Sequence, residues 1–334
     1  MKRMTTHQDV TLTTALGDGI VQIRLPMAGN PLRYVNGYVV EDDDGLTLID
    51  CGWKADDVLA ALHAGLDEHR RGLRDLRRVL ITHAHFDHYG LAGTLRAAGV
   101  PELCMHARDW AFARRHLTDA AATDAVADAW IAANGLRVDT QLDEELQHHR
   151  ADLAEPTRLL DDGDRIGRLQ AVSTPGHSPG HLCFADTASG RMFTGDHVLD
   201  PVTPHVGVWY EDRGNPLGEY IASLHKVKAL GATAVLPAHG EPWDDLGRRV
   251  DELLQHEARR EAQVVAALRG GAGSAAAVAG ALPWTRRDRT LVELSPTHQQ
   301  FAVAETLAHL EHLRAGGAVV REAAARPIRY ALAA

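Results

Sequence analysis

The sequence has few cysteines, no long apolar run and no excess of positive charge, and each absence argues against a class of protein. Its 3 cysteines are odd in number and widely spaced, at Cys51, Cys104 and Cys183. We therefore expect buried free thiols rather than a framework of disulfide bonds. No apolar run reaches the length of a membrane-spanning helix. A formal net charge of −10 argues against a general binder of polyanions.

The first residues also lack the pattern of a signal peptide. No series of basic, then apolar, then small residues follows Met4. We expect a cytoplasmic protein that does not bind membranes. The length of 334 residues allows one large domain and a small one, and a hydrophobic content of 45% is enough for a sizeable core. Residues 1–17 have little pattern, and we predict little ordered structure there.

The most informative stretch is residues 82–88, where three histidines and an aspartate fall within six positions. An apolar run at 78–82 predicts a buried strand before it, and residues 91–98 predict a helix after it. His83 and His85 alternate, so their side chains share one side of an extended backbone. Asp87 and His88 lie past the turn and can face a second centre. Imidazole with carboxylate suits zinc, manganese or iron better than calcium or magnesium.

Histidines on a polar surface loop would be the simplest alternative, but three later segments repeat the arrangement. His177, Asp196 and His239 each follow an apolar, strand-like run and lie beside or near glycine or proline. Loops that follow neighbouring strands gather at one edge of a sheet, where a rigid scaffold holds functional side chains. The pattern therefore favours a metal site assembled from four loops.

The ligand-type residues stand in the order His83-x-His85-x-Asp87-His88, His177, Asp196 and His239. Over about residues 18–245 this order resembles the metallo-β-lactamase-fold hydrolase superfamily. The resemblance implies two divalent metal ions, with zinc as the first candidate and iron or manganese as alternatives. It assigns one ion to His83, His85 and His177 and the second to Asp87, His88 and His239, with Asp196 as the bridge. Asp50 and His181 are expected to support ligands rather than to bind metal.

The order of predicted elements indicates an α+β protein with two sheets face to face and helices outside. The resemblance implies a four-layer αββα sandwich for residues 1–245. Residues 107–155 are predicted to form a helical insertion, either a lid over the site or a decoration away from it.

Residues 246–334 are predicted to form a small C-terminal domain of three helices and a hairpin. It resembles the winged-helix-like domain on one branch of the superfamily, some of whose members are endoribonucleases. However, the candidate recognition helix, residues 296–314, carries Glu305 and Glu311 and has a single permanent cation, Arg314, at its far end. We therefore predict no tight binding of nucleic acid. The domain is expected to pack beside the metal cleft, shaping an acyl pocket or a homodimer contact.

The predicted function is hydrolysis of a small carbonyl ester, a thioester or a lactone, by a metal-bound hydroxide. Asp87 would orient the hydroxide or pass a proton to the leaving group. His205 or Tyr210, on the loop after Asp196, would donate a hydrogen bond to the developing oxyanion. The aromatic residues of that loop have the makings of a substrate wall.

Three alternatives remain at this point. The branch resemblance favours a metal-dependent endoribonuclease or phosphodiesterase as the second hypothesis. A sulfur dioxygenase would use one iron and would not need the full second set of ligands. A non-catalytic DNA-binding regulator would be supported by the C-terminal domain alone. The complete set of ligand-type residues in the N-terminal part argues against that hypothesis.

Overall fold

Two β-sheets form the centre of the computed structural model, which describes residues 11–116, 120–137, 153–209, 214–285 and 287–334. Within these residues the first sheet has the strand order β1-β2-β3-β4-β5-β6-β7. Strands β1 to β4 pair antiparallel, and β4 to β7 pair parallel. The strands are β1 Thr13–Gly17, β2 Ile20–Pro26, β3 Tyr34–Asp42, β4 Gly45–Ile49, β5 Leu76–Leu80, β6 Glu102–His106 and β7 Arg158–Leu160.

The second sheet has the order β12-β11-β10-β9-β8 in the described part of the chain. Its strands pair antiparallel except for β11 and β12, which run parallel. They are β8 Arg165–Ile166, β9 Leu169–Ser173, β10 Leu182–Asp186, β11 Arg191–Gly195 and β12 Ala234–Pro237. A separate hairpin pairs β13 Val319–Glu322 with β14 Arg329–Leu332.

Helices cover the outer faces of the sheets and make up most of the C-terminal part. The α-helices are α1 Asp56–Glu68, α2 Phe86–Tyr89, α3 Ala92–Ala97, α4 Ala107–His116, α5 Ala120–Asn134, α6 Pro216–Leu230, α7 Leu246–Arg269, α8 Ala275–Gly280 and α9 Pro296–Ala315, with 3₁₀ turns at Leu73–Asp75 and Leu291–Glu293. Helix α9 begins as the sequence predicts, because the Ser295 side chain caps it and Pro296 takes its first position. Among the described residues, no helix is long and apolar enough to cross a membrane.

The alternation of side chains along each strand builds the layers of the sandwich. On β10, Leu182 and Phe184 face the first sheet and share a core cluster with Tyr38 of β3. Cys183, between them, faces the other way and packs with Leu224 of α6. Phe184 is fully buried, so we expect that replacing it by alanine would cost about 3–5 kcal/mol. The result is a mixed α+β fold consistent with the predicted sandwich.

A further core cluster joins α5 to the C-terminal elements. Trp130 and Ile131 of α5 pack with Val264 of α7 and Val303 of α9. The chain segment of the predicted insertion therefore contacts the C-terminal helices. The descriptions of 107–155 as an insertion and of 246–334 as a winged-helix-like domain, together with the domain boundaries, stay predictions.

Two expectations about single segments have clear outcomes. The prediction of little order in residues 1–17 was wrong for Thr13–Gly17, which forms an edge strand on β2. A five-residue edge strand depends on hydrogen bonds from its neighbour, which the local pattern does not reveal. The prediction for the cysteines is confirmed, because Cys51, Cys104 and Cys183 are all buried and free.

Candidate metal centre

The ligand-type residues lie on loops and helix starts that follow strands at one edge of the sandwich. His83 and His85 follow β5, and His85 occupies the position before α2, the helix that carries Asp87 and His88. His177 lies between β9 and β10, Asp196 directly follows β11, and His239 follows β12. The backbone of Asn36 in β3 donates to the carbonyl of Ala238 at 2.7 Å, which ties the two sheets together beside the site.

The first cluster consists of three converging imidazoles. His83 Nε2 lies 2.8 Å from His85 Nδ1. His177 Nε2 lies 3.2 Å from His83 Nε2 and 3.0 Å from His85 Nδ1. Tetrahedral zinc with bonds of about 2.0–2.1 Å separates its nitrogen ligands by roughly 3.3 Å. The spacing of these nitrogens is therefore close to what a shared metal ion requires.

The hydrogen bonds of the remaining nitrogens indicate which ring atoms carry lone pairs. His177 Nδ1 is 2.7 Å from the carbonyl oxygen of His205, so it must donate a proton there. The Thr82 hydroxyl donates to Asp50 and accepts from His83 Nδ1 at 3.0 Å. The Nε2 atoms of His83 and His177 then both present lone pairs, which a shared metal cation or a proton on His85 Nδ1 would stabilise.

The second cluster shows the same arrangement with a carboxylate. His88 Nδ1 donates to Asp50 at 2.8 Å, and His239 Nδ1 donates to the Tyr34 carbonyl at 3.1 Å. Their Nε2 atoms are buried and have no hydrogen-bond partner among the described residues. Both face Asp87 Oδ2, at 3.5 Å from His88 and 3.2 Å from His239.

Asp196 lies between the two clusters. Its Oδ2 is 3.7 Å from His177 Nε2, and its Oδ1 is 3.7 Å from His88 Nε2 and 3.5 Å from His239 Nε2. Oδ1 is buried and has no hydrogen-bond partner within the described residues. Orphaned lone pairs on buried imidazole and carboxylate groups fit divalent transition-metal ions.

The electrostatics of the two clusters differ. Burial and the neighbouring imidazoles hold the pKa values of His83 and His177 well below the ordinary range, which favours the neutral, metal-binding form. At His88, burial opposes the charged form, but the carboxylates outweigh it and raise the pKa well above the ordinary value. Burial raises the pKa of Asp196 despite the adjacent His239 and His88. The carboxylates that raise the pKa of His88 would equally attract a divalent cation in place of its proton.

Residues 30–239 match the family model of the metallo-beta-lactamase superfamily. The chain belongs to this family. Lactamase-like protein vrtG from Penicillium aethiopicum is 30% identical over 251 residues, which are 72% of this chain and 64% of that protein. The chain thus spans less than two thirds of this relative's length.

A solved structure of a metallo-beta-lactamase family protein from Thermus thermophilus superposes with a TM-score of 0.81 at 30% identity. The likeness covers 96% of this chain and 100% of that chain, so it extends past the residues that match the family model. An atrochrysone carboxyl ACP thioesterase from Aspergillus fumigatus is 39% identical over 100 residues, 30% of this chain and 29% of that protein. These comparisons support a metal-dependent hydrolase of the superfamily.

The two residues expected to support ligands, Asp50 and His181, form hydrogen bonds with residues of the predicted ligand set and their neighbours. Asp50 accepts from the backbone and hydroxyl of Thr82 as well as from His88, each at 2.8 Å. His181 Nε2 accepts from the backbone N–H of Asp196 at 3.2 Å, and its Nδ1 donates to Thr174 at 2.8 Å. Asp50 therefore fixes the orientation of His88, and His181 fixes the backbone beneath Asp196.

Two predicted catalytic residues have different outcomes. The ring of His205 does not point into the metal cluster, because its Nε2 lies 3.0 Å from the carbonyl oxygen of Phe301. His205 reaches the cluster instead through its backbone carbonyl, which accepts from His177. Its action on an oxyanion stays a prediction. Tyr210 lies outside the described residues.

One residue that touches the site was missed by the sequence analysis. Asp109 in α4 is fully buried and accepts hydrogen bonds from the loops that carry His83 and His177. It stands in a helical segment after β6, three residues past His106, and the sequence analysis assigned no ligand there. The one available indication was its place just after a strand, as for the predicted ligands themselves.

Proposed function

We propose that this protein is a dinuclear metal-dependent hydrolase that cleaves a small carbonyl ester, with an acyl thioester as the first candidate and a lactone as the second. The observation that carries the proposal is the convergence of two imidazole clusters on the carboxylate of Asp196. In this proposal one metal ion is bound by His83, His85 and His177. The second is bound by Asp87, His88 and His239. Zinc is the first candidate, with iron or manganese as alternatives.

Bound divalent ions would polarise the substrate carbonyl and make water a nucleophile near neutral pH, as zinc does by bringing the pKa of water to about 7. Asp87 is proposed to hold the attacking water and to pass its proton to the leaving group. The cysteines support a mechanism without a protein nucleophile. Burial raises the pKa of Cys104 to about 11 and that of Cys183 to about 12, so both thiols stay protonated.

The thioester is favoured over the lactone by one relative, the atrochrysone carboxyl ACP thioesterase. A thiolate leaving group also needs less protonation than an alkoxide, because an ordinary thiol has a pKa of about 8.5. Asp87 is the proposed acid in the site and need only assist, rather than complete, the departure of the thiolate.

The wall of the acyl site is proposed to include residues from both parts of the chain. The rings of His205 and Phe301 meet edge to face at 4.9 Å, and Trp209 meets Phe301 at 5.0 Å. Phe301 is 39% exposed and belongs to α9. Because His205 also holds His177, this aromatic group lies beside the first cluster. These contacts support the expectation that the C-terminal region helps to shape the acyl pocket.

The environment of α9 supports the proposal of no tight nucleic-acid binding. Gln300 is buried, and Gln299 donates to the Leu294 carbonyl at 3.0 Å. The cation Arg314 is bound to Glu311 of its own helix at 2.5 Å. Gln299, Gln300 and Arg314, the amide and permanently charged side chains that could contact bases or phosphates, are therefore engaged within the protein.

A substrate panel tests the proposed function. Protein reconstituted with zinc, manganese or iron would be offered acyl-pantetheine thioesters, lactones and single-stranded RNA, with His83→Ala as the control for metal dependence. We expect metal-dependent release of thiol, detected with a disulfide dye, and no cleavage of RNA. RNA cleavage with salt-sensitive binding, and no turnover of thioesters or lactones, would instead establish the phosphodiesterase.

A further inference from the structure

We propose that Asp109 is a positioning residue that clamps two ligand loops together and so sets the geometry of the first metal cluster. The inference rests on the proposed ligand set. Asp109 is the third residue of α4 and is fully buried. It lies on neither ligand loop, yet its carboxylate bonds to both.

The clamp consists of three hydrogen bonds to one carboxylate. Oδ2 accepts from the backbone N–H of Ala84 at 2.9 Å and from the Ser178 hydroxyl at 2.7 Å. Oδ1 accepts from the backbone N–H of Gly180 at 2.5 Å. Bonds from neutral donors to a buried charged acceptor are stronger than those between neutral groups, so this contact is stiff.

The positions of the donors give the clamp its effect on the metal site. Ala84 lies between His83 and His85, and Ser178 directly follows His177. The first loop leaves β5 of one sheet and the second leaves β9 of the other. The carboxylate therefore fixes how far His177 stands from the other two imidazoles.

The close fit at Gly180 is a second observation that points to the clamp. A Cβ atom at Gly180 would lie 2.6 Å from His106 Nδ1, 2.7 Å from the backbone nitrogen of Asp109 and 3.1 Å from its Oδ1. Glycine is therefore required for the second loop to reach the carboxylate. The absence of a side chain at Gly180 is what lets its backbone N–H approach the Asp109 carboxylate.

The clamp opposes a repulsion that exists before metal binds. The lone pairs of His83 Nε2 and His177 Nε2 face each other at 3.2 Å, and their repulsion favours separation of the loops in the metal-free protein. By holding the loops, Asp109 keeps the three nitrogens at ligand spacing. Removal of such supporting groups costs about 10- to 100-fold in metal affinity.

The test compares cobalt binding to metal-free protein in four forms: wild type, Asp109→Asn, Ser178→Ala and Asp186→Asn. Asparagine keeps the shape of Asp109 but turns one oxygen into a donor, so at least one N–H of Ala84 or Gly180 loses its acceptor. Ser178→Ala removes one bond and leaves the two backbone bonds. Asp186 is an equally buried aspartate that binds Arg168 and Ser189 at the far end of β10, so its variant controls for general destabilisation.

Titration with Co²⁺, followed by its visible absorption, gives the affinity of the first equivalent. We expect about 10- to 100-fold weaker binding in Asp109→Asn, a smaller loss in Ser178→Ala and wild-type affinity in Asp186→Asn. Thermal melts of the metal-free proteins monitor folding.

Wild-type affinity in a folded Asp109→Asn variant would overturn the proposal. If that variant does not fold, Ser178→Ala decides in its place, and an unchanged first affinity there would overturn it as well. Failure of the wild type to bind cobalt would count against the proposed metal centre itself. The experiment therefore distinguishes a failure of the metal-centre proposal from a failure of the Asp109 proposal.

Discussion

Replacement of Asp87 by asparagine should separate catalysis from folding in this site. The substitution keeps the size of the side chain and removes its charge. Asp87 Oδ2 lies 3.2 Å from His239 Nε2 and 3.5 Å from His88 Nε2, and its side chain is 20% exposed. It belongs to the four-residue helix α2 and is not a member of the apolar core around that helix. The change therefore acts on the metal cluster and not on packing.

The magnitude follows from the two proposed roles. Loss of a positioned acid or base costs about 10²- to 10⁴-fold in rate, which corresponds to roughly 3–5 kcal/mol in the activation barrier. In the metal-free protein the new amide can donate to the orphaned Nε2 of His239 or His88. We therefore expect the free energy of unfolding to change by no more than about 1–2 kcal/mol.

The assay is turnover of an acyl thioester at saturating metal, beside a thermal melt of the metal-free protein and elemental analysis of both. Asp43→Asn, at the exposed β3–β4 turn, is the matched control and should match wild type in all three measurements. Near-normal turnover by Asp87→Asn with two metal ions bound would remove Asp87 from the mechanism. A large loss of stability without metal would mean that its role is structural.

Further expectations concern composition, pH and substrate size. Elemental analysis of protein purified without chelator should give two metal ions per chain, and a reproducible single iron that leaves His88 and His239 uncoordinated would indicate the dioxygenase instead. Burial raises the pKa of Glu257 to about 8, and its Oε2 lies 3.4 Å from His309 Nε2, whose pKa burial lowers to about 3. Because the folded-state pKa of Glu257 is raised above its ordinary 4.5, its contribution to stability is present below pH 4.5 and is lost as pH rises towards 8. Glu257→Gln is neutral and can still donate to His309, so its advantage in melting temperature over wild type should grow from pH 5 to pH 8.5, and a constant difference would contradict the raised pKa. Phe301→Ala should raise KM for long acyl thioesters severalfold with kcat retained, and an unchanged KM across acyl lengths would take Phe301 out of the acyl wall.

The sequence by itself determined most elements of the fold, though not the edge strand β1, and the identity of the clustered residues. The strands before His83, Asp196 and His239 carry an apolar pattern, and a ligand-type side chain follows each within three residues, so the local sequence was sufficient to find them. Helix α9 was equally visible, because Ser295 and Pro296 mark its start. Such features depend on neighbours in the chain, which one sequence contains.

Only the tertiary structure decided which distant groups act on the cluster. Asp109 forms hydrogen bonds with Ala84 and Ser178, which lie on two different loops. The carbonyl of His205 accepts from His177, which is 28 positions away in the sequence. Neither contact produces a pattern of residues that sequence analysis can detect. The edge strand β1 and the packing of α5 on the C-terminal helices likewise depend on partners far along the chain. These contacts form because folding brings the ends of strands from two sheets to one edge. The distance between two side chains there is set by packing, and not by their separation in sequence.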